Sequence, residues 1–233
     1  MEEKTFSALI ERAKQVVQNL DWQIYHTPEN LILFLIGEVA ELGEYCQWLS
    51  KDEIIQGGFD IVVAEEIADV IKNVLYLANT LPLVESLELI LIEKIKLDEI
   101  ECPVAAKFRS KSRYELTKDE PKITHPLPTG SLVVIPPVSD IQAKSLAFNK
   151  DRKWEESYCP AILALSIAVK SGYIATYYQR RSKSKKKHSY EQIVWLLADI
   201  LLDALRLYEL LGINNAYEII KIKFDKDEKR FKE

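Results

Sequence analysis

Two pairs of acids, Glu38 with Glu41 and Glu66 with Asp69, stand three residues apart where helices would otherwise be apolar. Leu31, Leu35, Glu38, Leu42 and Tyr45 follow one helical stripe, and Val62, Glu66, Asp69, Asn73 and Leu77 follow another. An acid on an amphipathic helix is ordinarily solvated. Turned toward a bundle interior it is costly unless a cation or donor compensates it, and four on two neighbouring helices repel one another. A divalent cation removes that conflict. Oxygen-only ligands favour Mg²⁺ or Mn²⁺ over zinc, and acids converging from adjacent helices are a known way to hold them. Glu38, Glu41, Glu66 and Asp69 are therefore the candidate metal ligands and catalytic residues.

The elements that must position these acids are helices. Apolar periodicity predicts helices at about 3–19, 28–50, 59–80 and 84–101, punctuated by Pro28, Gly57-Gly58 and Pro82. From about 104 to 139 the chain turns to Lys, Ser, Thr and Pro. Pro121, Pro126, Pro128, Pro136 and Pro137 exclude long helices there, and a short strand is expected at Leu132–Ile135. Helical patterning resumes at about 140–153, 159–180, 190–211 and 214–231. The fold class expected is all-α, with units at 1–103 and 140–233 and a linker at 104–139.

The second set of helices repeats the lengths and order of the first. At an offset of 132, Pro28, Leu31, Leu33, Tyr45, Gln47 and Ser50 meet Pro160, Leu163, Leu165, Tyr177, Gln179 and Ser182, and Trp22 meets Trp154. Internal duplication and chance likeness of amphipathic helices both account for the helix matches; the tryptophan preceding each favours duplication. Glu38 falls opposite Lys170 and Glu41 opposite Tyr173, while an offset of 130 sets Glu66 against Leu196 and Asp69 against Asp199. Three of the four acids are lost, so the second copy is expected to be catalytically dead.

Hydrophobic residues make up 48% and aromatics 9%, against 7 Gly and 9 Pro, which excludes a disordered or fibrous chain. Cys46, Cys102 and Cys159 are too scattered for a zinc knuckle or a disulfide framework. No uncharged apolar run approaches 18 residues, so no membrane span is expected. The start Met1-Glu2-Glu3-Lys4 lacks a signal peptide's pattern, and a cytoplasmic location is expected. The net charge of −5 conceals 20 acids and 7 bases in residues 1–103 (−13) and 16 acids and 24 bases in 104–233 (+8). That asymmetry fits a nucleic-acid arm or two halves docking on each other. The run Arg180-Arg181-Ser182-Lys183-Ser184-Lys185-Lys186-Lys187-His188 reads as a solvated loop, a triphosphate-attracting lid or a nucleic-acid contact. It lacks the interleaved aromatics of single-strand binders.

Glu38-Val-Ala-Glu41 followed by Glu66-Ile-Ala-Asp69 resembles the E-x-x-E and E-x-x-D signature of the MazG-like all-α nucleotide pyrophosphohydrolases. The likeness is greatest to their dCTP pyrophosphatase branch, through Asp21-Trp22, His26, Pro28, Asn30-Leu31, Gly37-Glu38-Val39, Glu41-Leu42, Gln47-Trp48, Lys94 and Asp98. It covers about residues 8–103. The resemblance implies a four-helix unit that cleaves a nucleoside triphosphate between the α and β phosphates, giving monophosphate and pyrophosphate. The four acids would hold Mg²⁺, and Glu41 or Glu65 would take a proton from the attacking water. Trp22 and Trp48 would clasp the base, with His26, Asn30, Asn73, Lys94 and Asp98 completing the substrate contacts. Core packing of the tryptophans and a solvated Lys94 are the plainer readings. Asn73 replaces the branch's usual tyrosine and Asp98 its usual asparagine, so the base or sugar preference need not be that of the branch.

Superfamily members act as dimers or tetramers, so the degenerate half implies a pseudo-dimer within one chain. It would offer Lys170, Arg180 or Arg181 to phosphate, with a homodimer of such pseudo-dimers as a further expected assembly. The alternatives are a non-catalytic nucleotide-binding module and a helical scaffold.

Overall fold

The computed structural model describes residues 3–48, 61–82, 86–101, 126–129, 134–154, 158–181 and 190–232. Within them the chain is all-α: α1 Phe6–Asn19, a 3₁₀ turn Trp22–Ile24, α2 Pro28–Cys46, α3 Ile61–Asn79, α4 Leu87–Glu101, α5 Val138–Asp151, α6 Pro160–Arg181, α7 Tyr190–Leu210 and α8 Ala216–Lys232. The segments 126–129 and 134–137 are non-helical, and no strand occurs among the described residues. Most of the expected Leu132–Ile135 strand lies outside them, as do Cys102 and residues 182–188 of the basic run.

Local chemistry explains the helix that carries Glu38. Thr27 caps α2 by accepting from the Asn30 N–H at 3.3 Å, and Pro28 occupies the first turn, where its missing N–H costs nothing. The buried side of α2 is Leu31, Ile32, Leu35, Val39, Leu42 and Cys46. Helices α3 and α7 are buried along most of their length and form the centre of the molecule.

The pairwise packing has a two-fold pattern. Helix α2 packs on α3 as α6 packs on α7, α1 on α3 as α5 on α7, and α1 on α4 as α5 on α8, while α2 meets α6 and α3 meets α7. The last helix of each half crosses over: α8 packs on α3 and α4 packs on α7. Segments 1–103 and 140–233 consequently share one apolar core, running from Phe6 and Leu35 through Leu75 to Trp195 and Phe224. A cross-half hydrogen bond reinforces it, the Tyr208 hydroxyl donating to the Ala64 carbonyl at 3.0 Å.

Contrary to the expectation from uninterrupted runs, α6 is long and apolar enough to cross a membrane by length and composition. Its inner side supplies Leu163, Ile167 and Ile174 to the core, and its outer side is also apolar, through Ile162, Leu165 and Val169. Lys170 is its single charge in the segment Pro160–Gln179, and that side chain is buried inside the bundle.

At the end of α7 the Glu209 carboxyl is pushed up to about 7 by burial, against the pull of Arg206, a hydrogen bond from Asn149 and Lys150. The folded state thus prefers the protonated acid. No cost arises below the unfolded value near 4.5, the cost grows between 4.5 and 7, and it is complete above 7. Glu209→Gln is expected to raise stability by on the order of 2 kcal/mol at pH 8 and to change little at pH 4.5, as read from thermal melts.

Candidate metal centre

Because α2 and α3 pack against each other, Glu38 from one meets Glu66 and Asp69 from the other. One oxygen from each of the three carboxylates lies within 4.8 Å of the others. Glu41, one turn beyond Glu38 and exposed, falls outside this tight group but contributes its charge to both Glu38 and Glu66. Burial, then Asp69, with smaller additions from Glu41 and Glu66, pushes the Glu38 carboxyl up to about 7 despite Lys72. Glu66 is raised by burial, Asp69, Glu41 and Glu65, with Lys223 opposing. One Glu66 oxygen, Oε2, is buried and accepts no hydrogen bond. An orphaned carboxylate oxygen beside two other carboxylates, a ligand set of oxygens only, suits a hard divalent cation, Mg²⁺ or Mn²⁺.

Three lysines that the sequence reading missed surround this group. Buried Lys72, one turn after Asp69, places Nζ 2.7 Å from Asp69 Oδ1 and also pairs with Asp227. Lys223 on α8 reaches the other Asp69 oxygen, Oδ2, at 2.6 Å and stands 4.0 Å from Glu65, which in turn pairs with Lys226. Helix α8 belongs to the second half of the chain, so the site straddles both. A signal was present: Lys223 and Asp227 repeat the four-residue spacing of Lys94 and Asp98 at an offset of 129.

Lys94 and Asp98 lie elsewhere. They pair with each other, and Lys94 Nζ is 3.1 Å from Asp199 Oδ1 on α7, because α4 packs on α7 and not on α3. The positions opposite Glu38 and Asp69, Lys170 and Asp199, thus sit among fixed charges. Lys170 pairs with Asp203, and Arg206 Nη1 reaches Asp203 Oδ1 at 2.8 Å, with Asp203 fully buried. Lys170 accordingly does not face the phosphate side of the first site; the side chains of Arg180 and Arg181 lie outside the described residues.

Trp22 and His26 stack at 5.9 Å, His26 meets Tyr76 edge-on at 4.7 Å, and Phe231 of α8 covers Trp22 at 5.1 Å. Burial lowers the His26 pKa, so this aromatic surface favours a neutral imidazole. Tyr76 lies two turns from Asp69 along α3, about 10 Å, which puts the aromatics beside the acids. Trp48 is 79% exposed beyond the far end of the 19-residue α2, a helix about 28 Å long, whereas Trp22 precedes its start. Asn30 donates to the Tyr25 carbonyl at 3.0 Å, and buried Asn73 donates to the Asp69 carbonyl at 3.0 Å; both brace local backbone.

Among characterised proteins, the chain is 39% identical to human (Homo sapiens) dCTP pyrophosphatase 1 over 62 residues, 25% of this chain and 36% of that protein. It is 54% identical over 33 residues to the mouse (Mus musculus) dCTP pyrophosphatase 1, covering 14% of this chain and 19% of that protein. The chain thus spans about a third or less of the length of these relatives. No family model matches the chain, and no solved structure matches it.

Proposed function

We propose that the chain is a divalent-cation-dependent nucleoside triphosphate pyrophosphohydrolase that cleaves (d)NTP to (d)NMP and pyrophosphate, a pyrimidine dNTP being the first substrate to test. The observation that carries this reading is the meeting of Glu38, Glu66 and Asp69 with an orphaned, buried Glu66 oxygen. The local likeness to dCTP pyrophosphatases supports it.

Glu38, Glu66 and Asp69 would hold the cation, with Glu41 at the solvent edge. A bound Mg²⁺ supplies charge neutralisation of the triphosphate and lowers the pKa of a coordinated water. Glu41 or Glu65 would take the proton from that water. The Trp22–His26 surface would receive the base once Phe231 moves aside, and stacking there is worth about 1–3 kcal/mol. The second half, proposed to be a degenerate copy, serves the site through α8. Pyrophosphate release from a panel of dNTPs and NTPs with Mg²⁺ tests this: release that differs between bases supports it, and nucleotide binding without release replaces it with the binding-module reading.

The assembly proposed is a homodimer through the outer faces of α2 and α6. Leu33, Phe34, Ile36, Ile162, Leu165 and Val169 are exposed there beside a cleft of about 380 Å³ between the two helices. Burying this apolar surface against a second copy would remove it from water, the arrangement found in stable interfaces of about 800 Å² per partner. Phe34→Glu with Leu165→Glu is expected to halve the molar mass measured by light scattering.

A further inference from the structure

We propose that Lys223 exchanges partners: it competes with the divalent ion for Asp69 and, when the ion binds, passes to the phosphates of the substrate. This rests on the metal-site reading above and assigns to the second half a specific task in the first half's chemistry.

Both Asp69 oxygens are held by lysines, Oδ1 by Lys72 and Oδ2 by Lys223. A cation ligated by Glu38, Glu66 and Asp69 needs one of those oxygens, so one lysine must yield. Lys72 is the poorer candidate, since its side chain is 8% exposed and its ammonium is held by two carboxylates, Asp69 and Asp227. Lys223 has 18% of its side chain exposed, arrives from α8 on a flexible stem, and its next neighbour, Glu65, lies toward solvent at 4.0 Å. A divalent ion neutralises Asp69 more strongly than one ammonium does, and the released ammonium then stands beside Lys226 where a polyanion would enter.

The other half shows the same lysine without this freedom. Lys94, four residues before Asp98 as Lys223 is before Asp227, pairs with Asp98 and Asp199 at a place where Lys170 has replaced the Glu38 acid. No group of three carboxylates that could draw a cation occurs there among the described residues. The ion pair there faces no such competitor among the described residues, whereas at Asp69 a cation can replace it.

The test is titration calorimetry on the full chain, with Mn²⁺ alone and then with inorganic tripolyphosphate at saturating Mn²⁺. Lys223→Gln is expected to bind Mn²⁺ about three- to tenfold more tightly, because its competitor is gone, and tripolyphosphate about tenfold more weakly. Lys223→Met, which keeps the apolar stem, must show the same opposed shifts if Lys223→Gln does not fold, and Lys223→Arg should restore the native tripolyphosphate affinity. Unchanged or weaker Mn²⁺ binding overturns the exchange, as do equal Mn²⁺ shifts in Lys223→Gln and Lys226→Gln, which would reduce Lys223 to bulk charge. Neither readout needs turnover: absence of pyrophosphate release sinks the hydrolase reading alone, while a native chain that binds no Mn²⁺ overturns both.

Discussion

Glu38→Ala and Glu66→Ala are each expected to lower metal-dependent pyrophosphate release about a thousandfold, while leaving the thermal midpoint in EDTA at pH 8 unchanged or higher. The first effect follows from the cation's share of transition-state stabilisation, several kcal/mol, which is lost when one of three close ligands is removed. The second follows from the same geometry. Burial and neighbouring acids hold both carboxyls above their ordinary values, so ionising them at pH 8 costs stability that truncation recovers. Residues kept for function are commonly ones the fold would be better without. Loss of activity together with a large fall in the midpoint would identify these acids as structural.

Asp203→Ala should have the opposite profile. Its carboxylate is fully buried between Lys170 and Arg206, both of which lose their counter-ion together. Breaking such a pair from one side costs about 3–5 kcal/mol, a large part of the roughly 5–15 kcal/mol that a domain commands. Urea unfolding should therefore move to much lower denaturant, while the molecules that remain folded keep their turnover, since the acids of the first site are untouched. Lys170→Met combined with Asp203→Leu should recover part of the loss, because it removes one of the two stranded charges and leaves only Arg206. An Asp203→Ala variant as stable as the native chain would contradict the description of that network.

The helices and the two acid pairs were legible because they depend on neighbours in sequence. The apolar stripe that places Glu38 on α2 is written within one turn either side of it, and α2 packs on α3, the next described helix in the chain. Lys223 and Asp227 were not read because their place depends on α8 crossing to α3, a contact between segments more than 150 residues apart. The resemblance implies Lys94 and Asp98 as substrate contacts, whereas α4 crosses to α7 and sets Lys94 against Asp199. The resemblance pairs Trp22 with Trp48, and the whole of α2 lies between them. The offset of 132 sets Lys170 opposite Glu38, but nothing in the sequence marks its partner Asp203 on α7.

The central claim is tested most directly by ³¹P NMR of a dNTP, dCTP first, incubated with the native chain and Mg²⁺ in water enriched in ¹⁸O. The account predicts monophosphate and pyrophosphate in equal amounts, with the isotope shift on the monophosphate, because water attacks the α phosphorus at the Glu38–Glu66–Asp69 site. Nucleoside diphosphate with orthophosphate, or label in the pyrophosphate, would contradict it.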